Sequence, residues 1–89
     1  MKHLKITVTG KVQGVFFRKY TEQKANELGI KGIVRNTPEG AVYIEAEGER
    51  GDLMPFVEWC YEGSPFSDVK HVQVEEGEVK NYRDFTIAR

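Results

Sequence analysis

Leu4, Ile6 and Val8 alternate with Lys5, Thr7 and Thr9, a period of two that predicts a half-buried strand ending at Gly10. The following Gly10-Lys11-Val12-Gln13-Gly14-Val15 carries two glycines and no helical stripe, and reads as a loop. From Phe17 the period changes. Phe17, Thr21, Ala25 and Leu28 fall three or four residues apart and predict one face of a helix. Gly29 suits the left-handed residue that stops it, with Ile30 folding back on the last turn. Two strands follow, at about residues 31–37 and 40–48, joined through Asn36-Thr37-Pro38-Glu39-Gly40. Proline fits the second position of a type I turn there, and Gly40 the left-handed residue closing a bulged hairpin. Val42, Ile44 and Ala46 alternate with Tyr43, Glu45 and Glu47, which predicts one buried face and one wet face. A second helix over residues 52–61 gathers Leu53, Phe56, Val57 and Cys60 on one side, with Pro55 in its first turn. Strands around residues 69–74 and 85–87 complete the chain.

The order is β-α-β-β-α-β with a short fifth strand. Two helices cannot cover both faces of such a sheet, but they can cover one. The expected fold is therefore α+β: a ferredoxin-like, split-βαβ sandwich with a mainly antiparallel sheet and two helices on one face. It places the first strand inside the sheet, and the loop after it near a helix start and the end of a neighbouring strand. With no repeat or linker, residues 1–89 are expected to form a single domain around one core. This architecture serves RNA binders, metal carriers and enzymes alike, so it does not choose among them.

Composition narrows the partners. The formal net charge of −1 at pH 7 lacks the basic excess that a nucleic acid or anionic membrane demands. No apolar run reaches membrane-span length, and Met1 leads directly into a strand rather than a signal peptide. Cys60 is the only cysteine, which rules out an intramolecular disulfide and any zinc or redox CxxC spacing. A cytoplasmic monomer is the expectation. His3 and His71 lack metal-ligand spacing and read as surface residues. Glu45 and Glu47 read as solvated charges on the wet strand face, and Glu75, Glu76 and Glu78 as a solvated turn. Cys60 reads as packing on its helix stripe.

The chemistry concentrates in the stretch from Gly10 to Arg18. A strand end, a glycine-bearing loop and a helix N-terminus follow one another there. The first helical turn leaves backbone N–H groups unpaired, and the macrodipole favours an anion by ~0.3–1 kcal/mol. Gly14 lets amides approach a ligand closely, and Arg18 adds a planar fork that matches phosphate oxygens. The plainer reading is a turn followed by a solvated arginine. Phe16 and Phe17 read as packing residues, with Phe16 also suited to a pocket wall.

Gly10-x-Val12-Gln13-Gly14-Val15-x-Phe17-Arg18 resembles the acylphosphatase signature. A second block from Gly32 through Asn36 to Val42 is similar to that family's second signature, in which an asparagine closes a strand and an acidic-Gly pair turns the chain. Ala25-x-x-Leu28-Gly29 and Phe85-Thr86-Ile87 extend the resemblance over nearly the whole chain. Ile33 departs from a frequent tryptophan, and Gly63-Ser64-Pro65 from a more usual Gly-Pro pair. The resemblance implies an enzyme that hydrolyses small acyl phosphates without metal or cofactor. Phosphate would be held by Arg18 and the amides of Gln13, Gly14, Val15, Phe16, Phe17 and Arg18, and water oriented by Asn36. Thr37 would either assist at the water or cap the turn. Inorganic phosphate is the implied product and competitive inhibitor. Two other readings of the fold stay open: a phosphate-sensing module without turnover, and an RNA-binding domain. The latter needs exposed aromatics on the first and third strands, where Lys5, Thr7 and Thr9, then Tyr43, Glu45 and Glu47, are found.

Overall fold

The first strand is paired on both sides, and the sheet grows outward from it. A computed structural model describes residues 1–88. It contains β1 (Lys2–Lys11), α1 (Phe17–Leu28), β2 (Lys31–Asn36), β3 (Val42–Gly48), α2 (Arg50–Glu62), β4 (Asp68–Gly77) and β5 (Phe85–Ile87). The sheet order is β4-β1-β3-β2-β5, with β1 in the interior. All pairs are antiparallel except β2 with β5, which run parallel. This is the ferredoxin-like sandwich. Among the described residues, no helix is long and apolar enough to cross a membrane.

Ile6, Val8, Val34, Val42, Ile44 and Ala46 point from the sheet into one core with Phe17 and Ala25 of α1 and Leu53, Phe56 and Cys60 of α2. Both helices therefore lie on one face. Phe17 meets Trp59 across the helix pair with ring centroids 5.4 Å apart, and Phe56 meets Phe85 of the edge strand at 6.1 Å. Each buried phenylalanine contributes about 1.5–3 kcal/mol through removal of its surface from water. Cys60 is buried in the same core, and burial pushes its thiol pKa up to about 12.

Several boundaries differ from the sequence reading. Helix α2 begins at Arg50, so Pro55 sits in its second turn rather than its first. Its missing N–H leaves the carbonyl of Gly51 without a helical partner, at an exposed position where water can serve. Strand β4 continues to Gly77, which makes Glu75 and Glu76 exposed strand residues rather than part of a turn. His71 is exposed as expected.

The larger correction concerns His3, Glu45 and Glu47. They are buried, not solvated: 2 %, 7 % and 1 % exposed. The cause is topological. Strands β4 and β5 occupy opposite edges of the sheet, so residues 78–84 must travel from one edge to the other. They cross the face away from the helices and cover one end of it. There the Lys80 and Tyr82 N–H groups donate to the Glu47 carboxylate, and the Tyr82 and Tyr43 hydroxyls each donate to Glu45 at 2.9 Å. Lys80 Nζ lies 2.9 Å from Glu45, and His3 bridges both acids, with Nδ1 2.7 Å from Glu47 and Nε2 3.2 Å from Glu45. Burial opposes ionisation of Glu45, but the hydrogen bonds from Lys80, Tyr82 and Tyr43 outweigh it and hold its pKa at about 2. Burial opposes ionisation of Glu47 too, and the Lys80 amide, His3 and the Tyr82 amide again prevail and lower its pKa. The same hydrogen bond works in reverse on its donor: burial and then the bond to Glu45 raise the Tyr43 pKa to about 12.

Candidate active site

The site begins where β1 leaves the ladder. Its register with β4 shifts between Thr9 and Gly10, and a Cβ on Gly10 would collide with the Asp68 carbonyl. Beyond this bulge the side chains of Val12 and Val15 are buried, 1 % and 6 % exposed, and anchor the loop from inside. Gly14 and Phe16 face outward with φ of 73° and 62°. Positive φ at alternate residues curls the chain so that consecutive amides face one concavity. Open space around Gly14 means that only its backbone conformation calls for glycine.

Two hydrogen bonds hold this loop to its surroundings. On one side, the buried Ser64 hydroxyl donates to the Val15 carbonyl at 2.8 Å. A trans peptide points its C=O and N–H in opposite directions, so anchoring the Val15 oxygen inward turns the Phe16 N–H outward. On the other side, the Gln13 Nε2 donates to the carbonyls of Thr37 and Ala41 at 2.9 and 2.8 Å. The side chain of Gln13 thus joins the loop to the turn directly after Asn36. Thr37 belongs to that turn as well. Its Oγ1 accepts the Ala41 N–H at 3.0 Å, and its carbonyl accepts the Gly40 N–H at 3.1 Å. Of the two roles open to the Thr37 hydroxyl, capping the turn is the one this hydrogen bond fills.

Donors are abundant and unfilled. Among the described residues, the amides of Gly14, Val15 and Phe16 donate to no protein group. Helix α1 has Phe16 as its N-cap, with no side-chain cap and no acid in the first turn. Serine, threonine, aspartate or asparagine normally accepts from these N–H groups. Here no described residue does. Arg18 follows in the first turn, half-buried and without a carboxylate partner among the described residues.

Asn36 ends β2 opposite Val42. Its Oδ1 is buried and lacks a hydrogen-bond partner among the described residues, the sole buried side-chain polar atom there in that condition. A buried acceptor left unmade costs about 1–3 kcal/mol, so the fold retains it against its own stability. Arg18, Asn36 and the Gly14 turn line one open cleft of about 620 Å³, with Phe16 and Phe17 on its wall. The structure therefore brings Gly14, Phe16, Phe17, Arg18 and Asn36 to one cleft, whereas Gln13, Val15 and Thr37 do not line it. Three further lining residues, Val12, Lys19 and Ile87, had not been singled out as site residues. Lys19 carries no signal beyond following Arg18. Ile87 arrives only because β5 adds itself alongside β2. The cleft holds two cations and no acid on its lining, an arrangement that draws in a small anion. A second groove of about 510 Å³ lies along α2, lined by Leu4, Leu53, Met54 and Val57, and there Glu58 and Glu76 offset the charges of Lys2 and Arg50.

The acylphosphatase family profile matches residues 4–87 of the chain. This chain belongs to the acylphosphatase family. The acylphosphatase of Archaeoglobus fulgidus is 47 % identical over 85 residues, covering 96 % of each chain. The crystal structure of the acylphosphatase from Bacillus subtilis superposes with a TM-score of 0.98 at 38 % identity, covering both chains completely. The Coxiella burnetii acylphosphatase structure gives 0.94 at 44 % identity, over 98 % of this chain and 92 % of that one. In this member of the family, Ser64 is the residue holding the Val15 peptide.

Proposed function

We propose that this enzyme hydrolyses small acyl phosphates to a carboxylate and inorganic phosphate, without metal or cofactor, as a cytoplasmic monomer formed by a single domain of residues 1–89. Arg18 and the amides of residues 13–18 hold the phosphoryl group, and Asn36 orients the attacking water. The observation that carries the reading is that Asn36, whose Oδ1 has no hydrogen-bond partner among the described residues, lines the same cleft as Arg18. An amide oxygen accepts a hydrogen from water without placing a negative charge beside a phosphate dianion.

In the step itself, the water oxygen forms a bond to phosphorus while the bond from phosphorus to the acyl oxygen breaks. The electron pair of that bond leaves with the carboxylate, and the water proton passes to a phosphate oxygen of the substrate. The leaving carboxylate belongs to an acid of pKa about 4 and needs no protonation. Phosphoryl transfer has a loose transition state, so positioning and charge stabilisation supply most of the catalysis. A sparse site with donors and one aimed acceptor suffices for that chemistry. The Lys5, Thr7 and Tyr43 face of the sheet lacks the aromatic pair of an RNA platform, and its far end is covered by residues 78–84.

The test is hydrolysis of a synthetic acyl phosphate with chelator present. Turnover with competitive inhibition by inorganic phosphate is expected. Arg18→Ala weakens phosphate binding by the ~1.5–3 kcal/mol of a charge-assisted hydrogen bond. Asn36→Ala keeps phosphate affinity and lowers kcat by at least about 100-fold, the cost of a misplaced reactant. Full activity in Asn36→Ala would remove the water assignment. Phosphate binding without turnover in the unaltered chain would make it a sensing module.

A further inference from the structure

The glycine-bearing loop holds one residue in a conformation unsuited to its type. Phe16 has φ of 62°, and the only other non-glycine with positive φ among the described residues is Asn81. Asparagine tolerates the left-handed region, whereas a bulky side chain is strained there. The Phe16 ring is 65 % exposed, so burial of the side chain does not impose the conformation. A relaxed alternative lies one peptide away. Turning the plane between Val15 and Phe16 through half a revolution changes φ of Phe16 by the same amount, into the ordinary negative region. That turn also exchanges the two ends of the peptide. The Phe16 N–H would leave the cleft, and the Val15 carbonyl oxygen, which repels an anion, would enter it.

One side chain opposes the turn. The hydroxyl of Ser64, a residue 3 % exposed, donates to the Val15 carbonyl at 2.8 Å, and no other described residue donates to that oxygen. Ser64 is itself held on both sides. The Gly63 N–H donates to the Trp59 carbonyl at 2.8 Å, which ties the segment to the last turn of α2. The Ser64 carbonyl accepts the Ser67 N–H at 3.1 Å and the Ser67 hydroxyl at 2.8 Å. Gly63 is packed so closely that a Cβ on it would strike Ser67, Phe17 and Val69. We infer that Ser64 is a positioning residue: it latches the Val15–Phe16 peptide in its strained orientation and thereby sets the affinity for phosphate. The inference rests on the proposed phosphate site and adds to it a residue that does not line the cleft. An anion that binds only the latched loop has an apparent dissociation constant raised by the inverse of the latched fraction.

Ser64→Ala is the test, with inorganic phosphate as the probe and acetyl phosphate as the substrate. The inhibition constant of phosphate and the KM are expected to rise together by about threefold to tenfold, the worth of one neutral hydrogen bond. The kcat should stay unchanged, because saturating substrate restores the strained orientation. The three-bond coupling between the amide and α protons of Phe16, which reports φ, should move in phosphate-free Ser64→Ala and return on saturation with phosphate. Glycine adopts positive φ without strain, so in a Phe16→Gly background the same alanine should shift the inhibition constant far less. A lowered urea midpoint with an unchanged inhibition constant, or equal effects of Ser64→Ala in both backgrounds, overturns the latch and leaves the hydrolase reading in place. An unaltered enzyme that neither binds phosphate nor turns over acetyl phosphate overturns that reading first.

Discussion

The two ends of β1 carry the chain's main polar clusters, and they are built on opposite terms. At the start of the strand, His3 joins Glu45, Glu47, Lys80 and two tyrosines in a cluster whose carboxylates are met by hydroxyl, amide, imidazole and ammonium groups. At its far end, among the described residues, lie free amides, an uncapped helix, an arginine without a carboxylate and a buried amide oxygen without a donor. A buried polar group that is satisfied fixes structure, whereas one left wanting costs stability until a ligand arrives. The first cluster thus reads as a staple that holds the crossing segment to the sheet. The second is the proposed site, whose missing partners the substrate and the water would supply.

The comparison is broken most directly by exchanging the expected losses. Glu47→Ala removes the acceptor of two backbone N–H groups and the partner of His3. It should cost about 3–5 kcal/mol, the range for breaking a buried pair, read as a lower urea midpoint. Below that midpoint its kcat should match the parent's. Asn36→Ala should do the reverse: turnover disappears, while the midpoint stays or rises because an unsatisfied acceptor has gone. If Glu47→Ala lost turnover while folded, or Asn36→Ala lost stability, the division between staple and site would not hold.

A second difference appears with pH. The folded pKa of Glu45 is about 2, against an ordinary 4.5. The unfolded chain therefore binds more protons between those values, and stability rises with pH across the window. The contribution is complete above 4.5 and is lost as pH falls toward 2. Glu47, also lowered, acts in the same direction. Urea midpoints measured through this window should fall steeply for the parent and less steeply for Glu45→Gln. Parallel curves would show that the cluster contributes no linkage.

These two regions also differ in how much the chain discloses of them. The cleft is built from short-range features: a glycine-bearing loop, a helix start and a strand end, all legible from local chemistry and a double signature. Its elements, topology and helix-covered face follow from periods of two and about four. The staple was misread because strand alternation reports only which residues share a face, not what later covers that face. Glu45 and His3 share the face of Lys5 and Thr7, and their burial comes from residues 78–84, whose own pattern has no period. Ser64 was visible only as a departure from a family habit. Its hydroxyl bond to Val15 depends on a contact between residues 49 positions apart, which no local rule supplies.

Gln13 tests whether the cleft needs rigidity as well as free donors. Its backbone belongs to the proposed phosphate cradle, but its side chain makes two bonds away from it, to the carbonyls flanking the Thr37–Ala41 turn. One amide group thereby ties the loop proposed to hold phosphate to the strand end that bears Asn36. Gln13→Ala leaves the loop's backbone donors in place and frees the turn. The expected effect falls on the alignment of water with phosphorus, roughly a tenfold loss in kcat, since small misplacements at a reacting centre lower rate more than binding. The inhibition constant for phosphate should move by less than about twofold, because the charge-assisted contacts remain. Gln13→Glu should be worse than alanine, for a carboxylate can only accept and would face two carbonyl oxygens. An effect on phosphate affinity equal to that on kcat would place Gln13 in support of the cradle alone, and the hairpin would then be held in register by its strand pairing without help from the loop.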